Sequence, residues 1–300
     1  MNVRQLTCFV AVVEEGSFTR AARRIGISQP SLSEQMRALE ASLGGLVVER
    51  HPRGVSLTPA GRALLPEARA AVRAVDRGRR AARAALALES GELEIATVLS
   101  MAVGLLPHYI RLWHVHHPDV GVRLQEFRHR TLLEEAVEQG VADFAIGPLP
   151  LRPWEGLLES IAWEEFVVVA PPDDPLANRS RVALEELADR EWVLYHPDHG
   201  LAGVLEEVCR RAGFSPRGTV RTSQAEGAAR LASAGIGPAL VPDNIVLPGI
   251  DGHVLHLDPP LIRDVAVYAR TQLSPSGAAF VETLRSEKRP RPRGAVTIHL

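Results

Sequence analysis

Cysteine is scarce: Cys8 and Cys209 are the only two in 300 residues. They fall in different candidate domains, each within an apolar helical pattern. The chain therefore has no disulfide framework and reads as a protein of a reducing compartment, with both thiols as small core residues. Long apolar runs are missing too. No stretch approaches the ~20 residues of a membrane span. Arg4 is followed by an amphipathic pattern rather than the apolar block of a secretory signal, so no membrane partner and a cytoplasmic location are expected. Catalytic signatures are also lacking: there is no G-x-S-x-G elbow and no phosphate loop ending in G-K-[ST]. Gly235-Ile236-Gly237 is too little for a dinucleotide fingerprint. His114, His116 and His117 point to different faces of their predicted helix, and no cysteine or carboxylate pattern completes a metal site. Neither an enzyme nor a metal or other cofactor is expected. The rival readings are a solute-binding protein or an α/β enzyme on a two-lobe scaffold. The first 90 residues and the missing signal argue against the former, and the absent nucleophile motif against the latter.

Lysine is nearly absent as well, with Lys288 the single example. Basic charge is carried by arginine and is unevenly spread. Residues 1–90 hold 14 arginines against 8 acidic side chains, whereas residues 91–284 hold 15 basic against 27 acidic ones. A basic front end suits phosphate binding. The whole chain's 300 residues imply two or three domains.

The most informative stretch runs from Ser17 to Leu43. Phe18, Ala21, Ala22 and Ile25 share one helix face. Ser17 can cap that helix, and Gly26 ends it where a left-handed residue is needed. Ser28 caps a second helix with Pro30 in its first turn. Ile27 and Leu32 stand at the positions of a hydrophobic staple. Leu32, Met36, Leu39 and Leu43 form its expected buried stripe, and Pro30, Ser33, Glu34 and Arg37 point the opposite way. A helix-turn-helix places the start of its second helix in the DNA major groove. Ser17, Thr19, Ser28, Gln29, Pro30, Ser31, Ser33, Glu34 and Arg37 are the candidate contacts, with Gln35 beside them.

A first helix over Val3–Glu15 should complete a three-helix core. Leu46–Val48 and Val55–Leu57 flank a turn signal and predict a small hairpin, the wing of a winged helix. Arg50 and Arg53 at its tip are candidates for phosphate or minor-groove contact. Thr58-Pro59 then opens a long helix to about Glu89. Leu65, Ala68, Val72, Val75, Arg79, Ala82 and Leu86 repeat at alternating spacings of three and four, a heptad seam that predicts pairing with a second copy.

From Gly91 strands and helices alternate, which predicts a parallel α/β sheet. Strands are expected at Leu93–Val98, Val120–Phe127, Asp143–Ile146 and Trp163–Ala170. Further strands are expected at Trp192–Tyr195, Thr219–Arg221, Ala239–Val241 and Val265–Arg270. Helices fall between them, with Val103, Leu106, Ile110 and Trp113 on one side of a helix kinked at Pro107. Pro238 is placed at a strand's first residue or an edge. Two lobes crossed twice by the chain make a hinged cleft. Candidate ligand residues lie at strand-to-helix junctions: Ser100, Arg128, His129, Arg130, His196, His199, Leu201 and Thr222. Ser100 also reads as a helix cap. Arginine forks and histidine donors suit a small organic anion.

The segments AARRIGISQPSLSEQMRALEASLG, FVAVVEEGSFTRAA and GVSLTPAG resemble the DNA-binding domain of LysR-type transcriptional regulators. GVADFAI from Gly140 and AGIGPALVP from Ala234 are similar to recurrent segments of that family's effector domain. Glu34 departs from the family, which more often has a basic or neutral residue there. Phe127 stands where a small or acidic residue is usual. The resemblance implies an α/β chain with a winged helix-turn-helix (1–58), a linker and dimerisation helix (59–89) and an effector domain (91–286); the basic, proline-rich composition that follows predicts a flexible tail (287–300). The effector domain resembles type 2 periplasmic binding proteins, with lobe I at 91–163 and 267–286 and lobe II at 164–266. The resemblance further implies double-stranded operator DNA, a small-molecule effector and a second copy as partners; a dimer of dimers, a tetramer, is the expected assembly, with the plain dimer left open. It also sets the Ser100, His129/Arg130 and His199/Leu201 positions near the effector.

Overall fold

A computed structural model describes residues 1–52, 54–85, 92–176, 178–246, 250–286 and 290–299. The chain divides into two compact units, Met1–Gly91 with Gln139–Val141, and Glu92–Glu138 with Ala142–Leu300.

The first unit opens with α1 (Val3–Glu15), α2 (Phe18–Arg24) and α3 (Gln29–Leu43). Their ends follow local chemistry. Asn2 and Gln5 form a reciprocal capping box at α1. The Ser17 hydroxyl accepts from the Arg20 amide at 3.4 Å and Ser28 from the Ser31 amide at 3.2 Å. Gly26 and Gly44 take positive φ angles of 69° and 74° just past α2 and α3, where a side chain would be strained. Phe9, Val12, Ala21, Leu32, Met36 and Leu39 are buried in one core. Leu43 leaves the expected stripe and is exposed, because α3 ends there and Gly44 turns the chain away. The hairpin comprises β1 (Val48–His51) and β2 (Gly54–Leu57), paired antiparallel. Val47 is buried but precedes the strand, and Leu46 is exposed.

The Thr58 hydroxyl caps α4 (Pro59–Ala85) through the Gly61 amide. Its first half packs inward. Ala68 belongs to the winged-helix core, with Leu65 and Val72 packed against it. Three positions of the expected dimer seam are thus engaged within the chain. Val75 and Ala82 are exposed, and Leu86 lies outside the described residues.

The second unit is built from β3 (Glu92–Val98), α5 (Leu99–Gly104), α6 (Leu106–His116), β4 (Gly121–Phe127), α7 (Arg130–Glu138), β5 (Phe144–Pro148) and β6 (Leu157–Ala170). There follow β7 (Arg181–Val182), β8 (Leu194–Tyr195), α8 (Gly200–Arg211), β9 (Arg221–Thr222), α9 (Ala225–Ser233), β10 (Ala239–Pro242), β11 (His253–Ala269), α10 (Pro275–Ser286) and β12 (Val296–Ile298). Pro107 does more than kink a helix: it lies in the first turn of α6, after a break at Leu105. Val103 is exposed rather than part of the apolar side. Pro238 immediately precedes β10, a position that asks nothing of its missing N–H.

The main sheet runs β10-β6-β11-β5-β3-β4. The expectation of a parallel sheet holds along this path for β3, β4 and β5, and the short strands β7 and β12 also lie parallel to β11. β11 is antiparallel to both β5 and β6, and β10 to β6. The long pair β6 and β11 carries the chain between two cores, and a strand that returns along its neighbour must run antiparallel. Ile161 lies in the lobe I core and Phe166 in that of lobe II; on return, Leu261 is in lobe II and Val265 in lobe I. The return therefore falls a few residues earlier than position 267. The C-terminus also departs from expectation. β12 pairs parallel with Leu261–Arg263 of β11, and Ile298 is 1% exposed in the lobe II core, so residues 290–299 are not a flexible tail.

Candidate functional site

Two sites emerge, one in each unit. In the first, α3 buries Leu32, Met36 and Leu39 and presents the opposite face. Gln29, Pro30, Glu34 and Arg37 are exposed there, with Ser31, Ser33 and Gln35 half-buried between them. The Gln29 amide donates to the Ser33 hydroxyl at 3.1 Å, and Arg37 Nε to the Ser33 carbonyl at 3.4 Å. Glu34 and Arg37 make no ion pair among the described residues, so the carboxylate does not neutralise the guanidinium. Ser17 and Ser28 serve as caps, and Thr19 is exposed on the first turn of α2. The Arg50 guanidinium stacks 3.7 Å from the Phe18 ring centre, tying the hairpin to the start of α2. Arg53 lies outside the described residues.

In the second unit a cavity of about 230 Å³ opens between the lobes. Lobe I contributes Ser100 and the Arg128–Arg130 turn, lobe II contributes His199–Leu201, and β11 contributes Arg263. Val98, Leu99, Pro148, Leu151 and Leu201 supply apolar wall. Of the expected residues, Ser100, Arg128, His129, Arg130, His199 and Leu201 converge. His196 and Thr222 do not line the cavity. His196 is exposed 3.5 Å from Asp198, and the Thr222 hydroxyl accepts from the Gln224 amide at 3.3 Å as a turn residue. Ser100 is buried as the second residue of α5, whose N-cap is Val98, so it is not the cap.

Ser100, Arg130, His199 and Arg263 are buried, while Arg128 is exposed, and two of the buried groups are incompletely paired. Arg130 Nη1 donates to the Leu149 carbonyl at 2.8 Å, and its Nε, 3.7 Å from Glu134, has no hydrogen-bond partner. Burial and the Arg263 charge depress its basicity against the pull of Glu134. His199 caps α8: its Nδ1 accepts from the Leu201 amide at 3.1 Å, and its ring stacks on Tyr195. Accepting at Nδ1 places the proton of the neutral ring on Nε2, and that buried atom has no partner. Burial first, then the charges of Arg263, His129 and Arg128, push the ring's pKa down to about 4. The Arg128 carbonyl accepts from the Gly200 amide at 2.9 Å, a backbone bond joining the lobes at the cavity's rim.

Arg263 was missed in the sequence because it lies inside a strand, with no turn or cap signal beside it. It stands directly across from Glu164 in the β6–β11 register and donates to its Oε1 at 2.7 Å through Nε. Asn244 donates to the other Glu164 oxygen at 2.9 Å. Gly104 closes on Asn244: a Cβ there would lie 2.2 Å from its Oδ1. Three arginines, Arg128, Arg130 and Arg263, thus line the cavity, and two carboxylates behind them, Glu134 and Glu164, pair with Arg130 and Arg263.

Residues 3–62 match the model of the bacterial regulatory helix-turn-helix proteins of the lysR family, and residues 87–289 match the LysR substrate binding domain. The chain belongs to the LysR family. It is a helix-turn-helix DNA-binding transcription regulator with a domain for a small-molecule effector. The RuBisCO operon transcriptional regulator of Allochromatium vinosum is 29% identical over 96% of each chain. A probable hydrogen peroxide-inducible genes activator of Mycobacterium avium is 33% identical over 82% of this chain and 79% of its own. Full-length CbnR complexed with its target DNA matches with a TM-score of 0.72 at 26% identity, covering 95% of this chain and 99% of that one. The LysR family comprises transcription regulators. No described helix is long and apolar enough to cross a membrane, and the described residues hold no cluster suited to a metal ion.

Proposed function

We propose that this LysR family regulator acts in the cytoplasm as a homo-oligomer on operator DNA and that its effector is a small organic anion with an apolar body. The observation that carries the reading is the pair of orphaned buried donors, Arg130 Nε and His199 Nε2, at one cavity. A buried donor without an acceptor costs ~1–3 kcal/mol, and a carboxylate supplies the acceptor. It also brings three cations and two anions to balance. The apolar wall then takes the remainder of the ligand. On the DNA side, α3 from Gln29 to Arg37 reads base edges, with Thr19 and Arg50 toward phosphate. The exposed stretch of α4 from Val75 joins two copies.

Sensing of peroxide, after the Mycobacterium relative's name, is the competing reading, and the thiols disfavour it. Cys209 is fully buried with its thiol pushed up to about 12, Cys8 is buried and also raised, and they lie in separate units. Thiolate is the reactive species. Calorimetry of the intact protein against benzoate, benzylamine and benzyl alcohol tests the anion. Heat from benzoate alone, lost in Arg130→Lys and weakened in Ser100→Ala, is expected. Preference for the amine or the alcohol would sink the reading.

A further inference from the structure

We propose that the C-terminal segment is a third crossing between the lobes, a strap that fixes the Arg263 backbone and restrains lobe motion. β6 and β11 are the two crossings that a hinged fold of this kind requires, and the chain adds another. α10 is anchored in the lobe I core through Phe280, Val281 and Leu284. β12 delivers Ile298 into the lobe II core beside Leu257 and Leu261. β12 lies along β11 at the place where β11 leaves one core for the other, with Leu261, Ile262 and Arg263 facing Val296, Thr297 and Ile298 in register. Arg291 adds a hydrogen-bonded ion pair to Asp264, the next residue along β11.

That placement fills a gap. One edge of β11 is paired by β6 at His253–His256 and again at Leu261–Ala269. The other is covered by β7 at His256–Leu257 and by β5 at Val265–Tyr268. Leu261–Arg263 would be an open edge without β12. An unpaired strand segment at a hinge bends freely, and a paired one must bend with its partner or shed it. Shedding β12 would bring Ile298 out of a core in which it is 1% exposed. Lobe motion therefore works against the strap, and Arg263, a cavity residue, moves only with it. The consequence for effector affinity rests on the anion reading above; the strap itself does not.

Hydrogen exchange on the full-length, ligand-free protein separates the two. The variants are Ile298→Ala, Arg291→Ala and a chain ending at Ser286. The expected result is roughly tenfold faster exchange in peptides covering 159–167 and 258–266, with β3 and β10 as protected as before and Arg291→Ala the mildest. Unchanged exchange at the crossings overturns the strap. So does a uniform rise through both lobe cores, which would make the segment a general stabiliser. Benzoate calorimetry on the intact chain reports on the anion reading alone, whichever way the exchange experiment falls.

Discussion

His199 shows how a single side chain can cap a helix with one ring nitrogen and turn the other toward a cavity. Its Nδ1 is committed to capping α8 and its Nε2 waits for an acceptor. The folded pKa of about 4 lies below the usual 6.5. The unfolded chain therefore takes the proton first as pH falls, and the stability held above pH 6.5 is lost on the way to pH 4. Urea unfolding of the intact protein should lose roughly 2 kcal/mol between pH 7 and 5 relative to His199→Asn, which keeps a capping acceptor without the titration. Equal pH profiles for the two proteins would show that the ring is not held neutral. On the DNA face, Arg37→Ala should cost ~1–3 kcal/mol of operator affinity and relax one base pair. Glu34→Gln should weaken a preference for cytosine, because the unpaired carboxylate can accept from its amino group. If neither variant alters affinity or sequence preference in a binding-site selection, another face lies in the groove.

At the scale of elements, much was legible because caps and turns declare themselves locally. Ser17, Gly26, Ser28 and Pro30 set α2 and α3 to within a residue. Six of the eight expected ligand residues met at one cavity, since strand-to-helix junctions are marked in sequence by their turn residues. The front half of β11 was not legible: the expected strand began at Val265, whereas β11 starts at His253 and carries Asp258-Pro259-Pro260 within a register shift between His256 and Leu261. Arg263 was hidden with it. The tail reads as disordered by composition, and only pairing along β11 gives Ile298 a core to enter. The heptad pattern of α4 was legible as a pattern but not as a destination. A stripe of Leu, Ala and Val packs equally well on a partner helix or on the chain's own α1, and Leu65, Ala68 and Val72 chose the latter. Val72→Asp should therefore destabilise the winged helix, by ~1–3 kcal/mol for charge brought against its core. Val75→Asp combined with Ala82→Asp should leave that melting transition in place and shift sedimentation toward smaller species. An unchanged oligomer in the double variant would mean that pairing does not use the exposed stretch of α4.

Across the whole molecule, charge is segregated in a way that gives its two kinds of partner opposite responses to salt. Residues 1–90 carry 14 arginines against 8 acidic groups, and residues 91–284 carry 15 basic against 27 acidic ones. DNA meets the basic front end and releases counterions on binding, so operator affinity should fall linearly in log–log terms with a slope of about −0.9 per phosphate contacted. An anion approaching the second unit meets a net negative field that salt screens over ~8–10 Å. The contacts proposed for it, with Arg130, Arg263 and His199, are buried and would be screened far less. Raising salt should therefore leave carboxylate affinity flat or improve it while operator affinity collapses. Fluorescence anisotropy with operator DNA and calorimetry with benzoate, both taken from ~50 to 300 mM chloride, test the pair of slopes together. A carboxylate affinity that falls as steeply as the operator's would mean that the ligand is held by exposed charge such as Arg128, and not by the buried donors at the junction of the lobes.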